Sequence, residues 1–199
     1  TEVFTILVDY DYTVIDFNLS SGNNLVSLYS IPPEDQSVSG IFGPLGDNIT
    51  HIFGESQLAV QLPNGDWVGS ITHLEPTKGY WLRLEENDQL PVYGLPTGNI
   101  EYVIHQGANL ISYSYGTSQL IEDALPEEIQ QDVWAIFGEN ISAMNINGNW
   151  LGSLSSLEGG EGYWMIADTN FVFEYNQPQG ATLARTNELP VVPNELDYY

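Results

Sequence analysis

Two stretches of this chain carry nearly the same text: NGDWVGSITHLEPTKGYW at 64–81 and NGNWLGSLSSLEGGEGYW at 147–164. The likeness extends upstream in the same order. SSGNNLVSLYS (20–30) aligns with HQGANLISYSY (105–115), placing Gly22 over Gly107, Asn24 over Asn109, Leu25 over Leu110 and Ser27 over Ser112. HIFGE (51–55) aligns with AIFGE (135–139), and GYWLRL (79–84) with GYWMIA (162–167). The offset stays within 83–85 residues throughout. Motifs repeated in fixed order at a constant offset are the signature of one folding unit copied in tandem.

Within each copy the patterning is mostly β. NNLVSLYS and ANLISYSY are apolar runs that follow a glycine turn, as strands do. An Asn-Gly pair at Asn64-Gly65 and again at Asn147-Gly148 sits between two strand-like runs, the strongest short hairpin signal. VGSITHL and LGSLSSL alternate apolar and polar residues, and GYW opens a further strand. The middle of the second copy differs. Leu120, Ile121, Ala124 and Leu125, then Ile129 and Val133 after Pro126, have helical spacing, and Pro126 followed by Glu127 and Glu128 suits a first helical turn. The matching region of the first copy, 34–50, is richer in glycine and is expected to be looser. The chain therefore reads as mainly β: two tandem duplicated β-rich units, each with one or two short helices in its middle, an N-terminal strand region and an extended C-terminal tail. The expected boundaries are an N-terminal strand or arm at 1–16, unit 1 at 17–90, a linker at 91–101, unit 2 at 102–175 and an extended tail at 176–199, whose residues past about 178 are expected to order only on assembly.

Charge narrows the partners. Three basic residues, Lys78, Arg83 and Arg185, stand against 27 acidic ones, for a formal net charge of −24. Nucleic acid needs phosphate contacts from Lys and Arg, and an anionic membrane surface repels such a chain, so neither is an expected partner. Strong like charge keeps particles soluble and apart. No cysteine is present, which removes disulfides and thiolate chemistry. The start TEVFTILVDYDY has no basic n-region, and two expectations stand for Thr1: it follows an initiator Met, the favoured one, or it follows a processed segment.

Catalytic signatures are missing. His51, His73 and His105 align with Ala135, Ser156 and Ser20, so neither copy repeats a histidine of the other. No nucleophile elbow, phosphate loop, dinucleotide fingerprint or zinc helix occurs, and no catalytic, cofactor or metal residue is expected. Asp9, Asp11 and Asp16, and the clusters Glu85, Glu86, Asp88 and Glu122, Asp123, Glu127, Glu128, supply oxygens without a calcium loop. They read as solvated acidic faces with at most weak calcium binding. The Asn-x-Ser/Thr triplets at Asn18, Asn48 and Asn140 read as chance.

The aromatics offer a carbohydrate reading. Trp67, Trp81, Trp150 and Trp164 are duplicated pairwise, and Tyr80 and Tyr163 precede two of them. Neighbours on a strand point to opposite faces, so one ring of each Tyr-Trp pair should face the core. Core tryptophans at 81 and 164 would each cost about 3–5 kcal/mol on truncation to Ala. Trp134, aligned with Thr50, is the one tryptophan without a counterpart. Surface or glycan contact is accordingly expected at Trp134, Trp67, Trp150, Tyr80 and Tyr163.

The quoted motifs resemble a loosely defined repeat family. Its members carry an opening Gly-x-Asn-Leu-Ile/Val-Ser strand, a central Ile-x-Gly region, then Trp-x-Gly-x-Leu and a closing Gly-Tyr-Trp. Such repeats occur in surface proteins of marine bacteria and in virion proteins of marine bacteriophages. The resemblance covers most of 17–84 and 102–167 and departs at Gly40–Pro44 and in the tail. It implies a β-rich structural or adhesive module with no catalytic residues. Two expectations follow: a non-enzymatic virion protein, such as a head-decoration (cement) or head-fibre protein exposed on the capsid surface, or a carbohydrate-binding or adhesive module of a marine bacterial cell-surface protein. The expected partners are capsid or other virion proteins, copies of the chain itself and host-surface glycans.

Overall fold

The computed structural model describes residues 12–179. Residues 1–11, which include Asp9 and Asp11, and residues 180–199 of the expected tail lie outside the described residues. Among the described residues the fold is mainly β, arranged as several antiparallel sheets with three short α-helices.

The first unit runs through β1 (Thr13–Leu19), β2 (Gly22–Ser27), β3 (Ser30–Ile31), α1 (Val38–Phe42), a 3-10 segment at Gly43–Asn48, β4 (Ile49–Gly54), β5 (Gln57–Gln61), β6 (Trp67–Gly69), β7 (Gly79–Leu84) and β8 (Asp88–Pro96). The second runs through β9 (Tyr102–Ile104), β10 (Gly107–Ser112), β11 (Gln119–Leu120), α2 (Ile121–Ala124), α3 (Glu127–Gln130), β12 (Val133–Gly138), β13 (Ile141–Ile146), β14 (Asn149–Gly152), β15 (Ser156–Leu157), β16 (Gly162–Ala167) and β17 (Phe171–Phe173). Each unit is built on a five-stranded sheet, ordered β2-β7-β4-β5-β6 in one and β10-β16-β12-β13-β14 in the other. The same order recurs because the same motifs recur.

Alternation decides which side of each sheet is core. Tyr80, Leu82 and Leu84 of β7 point inward onto Ile52 and Ala59, and Tyr163, Met165 and Ala167 of β16 point inward onto Ile136 and Ala143. Each inward tyrosine has its hydroxyl satisfied locally: it accepts the Glu75 N–H in unit 1 and the Glu158 N–H in unit 2, at 2.8 Å in both. The Asn147-Gly148 hairpin forms as expected. Both residues have positive φ, 55° and 83°, the requirement of the tight two-residue turn between β13 and β14.

Three local expectations change. The 34–50 region is not loose: Val38, Ile41, Phe42 and Leu45 recur at helical spacing, and all four are buried. Ser37 caps the helix by accepting the Gly40 N–H at 3.0 Å. The segment expected as a linker is largely strand, since β8 reaches Pro96 and pairs with β1 from Leu19↔Asp88 to Thr13↔Gly94. The N-terminal strand therefore belongs to unit 1, and its Ile15 and Phe17 lie in that unit's core. VGSITHL and LGSLSSL stay in their sheets only as far as Gly69 and Gly152, after which Ile71, Leu74, Leu154 and Leu157 cover the two cores.

The units meet across reciprocal contacts, so residue i of one touches residue j of the other and the equivalent of j touches the equivalent of i, as at a two-fold interface. β2 and β10 are sheet edges with backbone donors to satisfy. Glu139 of unit 2 accepts the Leu25 N–H of β2 at 2.9 Å, and Glu55 of unit 1 accepts the Leu110 N–H of β10 at 2.9 Å. Beside these, the Ser27 N–H donates to the Gly160 carbonyl at 2.7 Å and the Ser112 N–H to the Thr77 carbonyl at 3.2 Å. The glycine of each Gly-Tyr-Trp motif lies under this contact. A methyl on Gly162 would stand 2.8 Å from the Val26 carbonyl oxygen, and one on Gly79 would stand 2.9 Å from that of Ile111.

Gly79→Ala and Gly162→Ala are each expected to cost about 1–3 kcal/mol, because backbone of the other unit must move to admit the methyl. Gly54→Ala, whose methyl meets side-chain atoms at 3.4–3.6 Å, is expected to cost less. Urea titration of the three variants checks the ranking; equal losses would contradict the close inter-unit approach.

Candidate functional surface

Since Tyr80 and Tyr163 face the cores, the tryptophans that follow them face out. Sheet register gives the neighbours. In unit 1 one outward row runs Leu25, Trp81, Phe53, Leu58, and the next runs Asn23, Arg83, His51, Val60, Val68. In unit 2 the equivalent rows are Leu110, Trp164, Phe137, Ser142 and Ala108, Ile166, Ala135, Met144, Leu151. Phe53, Leu58 and Val68 are exposed on the first face, and Phe137, Met144 and Leu151 on the second. Exposed apolar side chains collected on one sheet face mark a contact surface.

The residues expected at a surface site separate into three groups. Tyr80 and Tyr163 are 2% and 1% exposed, so neither can meet a ligand; strand alternation places the tyrosine of each pair in the core, where the sequence reading put the tryptophan. Burial pushes the Tyr80 phenol up to about 12. Trp67 and Trp150 are half-buried against the edges of their cores. Trp134 is 47% exposed. It is the extra residue of a bulge between Val133 and Ala135, which turns it out of the ladder. Trp81 and Trp164, expected in the core, are half-buried on the outward faces. The sequence reading missed Phe53 and Phe137 as their neighbours, although the shared Ile-Phe-Gly-Glu text held both.

On the outward face of unit 1 the His51 and Phe53 rings lie parallel, with 5.8 Å between centroids and 4° between planes. The Thr50 hydroxyl donates to the Arg83 carbonyl at 3.3 Å and so takes the His51 Nδ1 proton, at 3.0 Å. That fixes the ring and leaves Nε2 available.

The inter-unit latch is asymmetric. His105 Nε2 lies 2.6 Å from Glu55 Oε1 while Glu55 Oε2 holds the Leu110 N–H. The hydrogen bond to Glu55 raises the His105 pKa above its ordinary 6.5. Burial pushes Glu55 up, but hydrogen bonds from His105 and Leu110 and the charges of His105 and Lys78 outweigh it and bring its pKa below 4.5. At the equivalent place in the other half stands Ser20, and Glu139 faces Glu161 instead. Burial, and then the charges of Glu139 and Glu158, raise the Glu161 pKa. Glu139 and Glu161 line a cavity of about 310 Å3 with Asp16, Asn18 and Asn24. Among the described residues no three His, Asp or Glu side chains converge as metal ligands. No described helix is long and apolar enough to cross a membrane.

No protein-family model, curated protein or solved structure matches the chain.

Tyr163→Ala is expected to cost about 3–5 kcal/mol, and Trp164→Ala roughly half of that or less, since only the tyrosine is fully buried; chemical denaturation reads both, and the reverse order would place the tryptophan in the core. The latch gives a pH signature. The Glu55 contribution is present above pH ~4.5 and is lost as pH falls through its lowered folded pKa. The His105 contribution is present below pH ~6.5 and is lost as pH rises through its raised folded pKa. The melting-temperature deficit of His105→Ser should therefore be greatest between pH ~4.5 and ~6.5 and fade in alkali; a deficit independent of pH would exclude a charged latch.

Proposed function

We propose that the protein is a non-enzymatic structural component of a bacteriophage virion, a head-decoration or head-fibre protein exposed on the capsid surface, with capsid proteins and further copies of itself as partners. The observation that carries this reading is the pair of outward sheet faces. In a chain of net charge −24, the rows around Trp81 and Trp164 hold exposed Phe53, Leu58, Val68, Phe137, Met144 and Leu151 and no carboxylate. The unit 2 face, which holds no charged side chain in these rows, suits contact with other protein, while the acidic remainder keeps the assembled particle soluble. The duplicated acids that the fold singles out, Glu55 and Glu139, hold the two units together, which is a structural task. The motif resemblance to marine phage virion proteins points the same way.

A second reading, a carbohydrate-binding or adhesive module of a marine bacterial cell surface, is favoured by the outward direction of Trp81 and Trp164 beside Phe53 and Phe137. Labelling of particles separates the two. Gold-conjugated antibody against the chain should decorate the heads of gradient-purified phage whose genome carries the gene, and mass spectrometry should find the chain in those particles. Its absence from purified particles, or a gene located beside cell-surface genes in a bacterium, would overturn the virion reading in favour of the adhesive one.

A further inference from the structure

We infer that the outward face of unit 1 binds an acidic saccharide, with a sugar ring on Trp81 and Phe53, a uronate carboxylate at Arg83 and a sugar hydroxyl at His51. The inference rests on this face alone and holds on a virion or a cell surface alike.

The basic side chains among the described residues are few: Lys78, Arg83 and three histidines. Two of them, Arg83 and His51, are cross-strand partners on β7 and β4 and point out on the same side. The Arg83 guanidinium forms no ion pair among the described residues, although acids outnumber bases nine to one in the chain. A planar guanidinium left without a carboxylate keeps its forked donors for one. His51 is held at Nδ1 by Thr50 and by its parallel ring contact with Phe53, which leaves its Nε2 available at the position paired with Arg83. That nitrogen accepts a hydrogen bond from a sugar hydroxyl.

The adjoining row supplies the apolar half of the site. Trp81 and Phe53 are direct cross-strand neighbours, one half-buried and one exposed, and aromatic faces take the C–H side of a sugar ring. Asn23, exposed and paired with Arg83 from β2, adds an amide for ring hydroxyls. The duplication shows that the fold does not need this chemistry. Unit 2 keeps Trp164 and Phe137 but has Ile166 where unit 1 has Arg83, and Ala135 where unit 1 has His51. The net charge does not forbid an anionic ligand. At physiological ionic strength charges more than about 8 Å away are largely screened, and the side chains in the two rows are basic, aromatic, aliphatic or amide.

Isothermal titration of the full chain with hexamannuronate tests the site, with neutral mannohexaose and hexaglutamate as comparison ligands. Hexamannuronate should bind, and Arg83→Gln should weaken it about tenfold, equivalent to about 1.4 kcal/mol. Arg83 is exposed, so this variant leaves the fold intact, which thermal melting verifies. Trp81→Ala should weaken binding to a similar degree, and Trp164→Ala, the equivalent change in unit 2, should leave it unchanged. Four results would each overturn the inference: no hexamannuronate binding, equal binding of mannohexaose, equal binding of hexaglutamate, or equal losses from Trp164→Ala and Trp81→Ala. Particle labelling tests the virion reading separately, so failure of either is told apart from failure of the other.

Discussion

A carboxylate that reaches from the hairpin of one sheet to an edge amide of the other is the interaction on which the rest of this structure depends. Glu55 and Glu139 perform it reciprocally, on Leu110 and Leu25. An edge strand exposes a row of donors and acceptors that invites pairing with foreign chains. Here β2 and β10 are covered by each other's units: the glutamate takes one donor, the loop before Gly-Tyr-Trp takes the next, and Leu25 and Leu110 settle over the glycines that open β16 and β7. A charged acceptor makes the stronger kind of hydrogen bond, and the short hairpin that carries it limits how far the units can shift. The opposite edges, β6 and β14, are only three and four residues long. Short edges are themselves a protection against unwanted pairing.

That interface explains why three of the repeated motifs recur together. Gly-x-Asn-Leu-Val/Ile-Ser is the edge strand that is capped, with Asn24 and Asn109 closing the turn before it through paired hydrogen bonds to Ser20 and His105. Phe-Gly-Glu supplies the cap. Gly-Tyr-Trp supplies the glycine under the contact, the inward tyrosine and the outward tryptophan. These three motifs meet across the duplication.

Much of the fold was legible in the sequence. The constant offset marked the units, Asn147-Gly148 marked its turn, and period-two alternation marked the sheets. Three things were hidden, each for a physical reason. Alternation states that Tyr80 and Trp81 part company but not which one turns inward; Tyr80 does, with its hydroxyl taken by a backbone N–H five residues before it. The role of Glu55 and Glu139 needs a second unit in place, and within one copy they read as two acids among many. The helix at Val38–Phe42 was masked by glycines, although the burial of Val38, Ile41, Phe42 and Leu45, each worth roughly 1.5–3 kcal/mol, outweighs a flexibility cost of about 1 kcal/mol per glycine. The outward faces were half legible: the aromatic content was plain, while the adjacency of Arg83 and His51 exists only through strand register.

Covalent duplication also permits what a symmetric dimer of single units could not. In a homodimer each outward face would be the same, and an arginine placed on one would appear on both. Joined in one chain, the copies must agree only where they touch, at the glycines, glutamates and edge strands. They are free to differ elsewhere. The differences fall there: Arg83 and His51 against Ile166 and Ala135 on the outward faces, and α1 with its 3-10 segment against α2 and α3 in the middle. Even the latch differs between the copies, with His105 hydrogen-bonded to Glu55 on one side while Glu139 faces Glu161 on the other. A scaffold held by contacts shared between its copies can therefore carry one face suited to polar recognition and another suited to apolar contact, and the contrast between those faces is where two separate roles for the two units would have to arise.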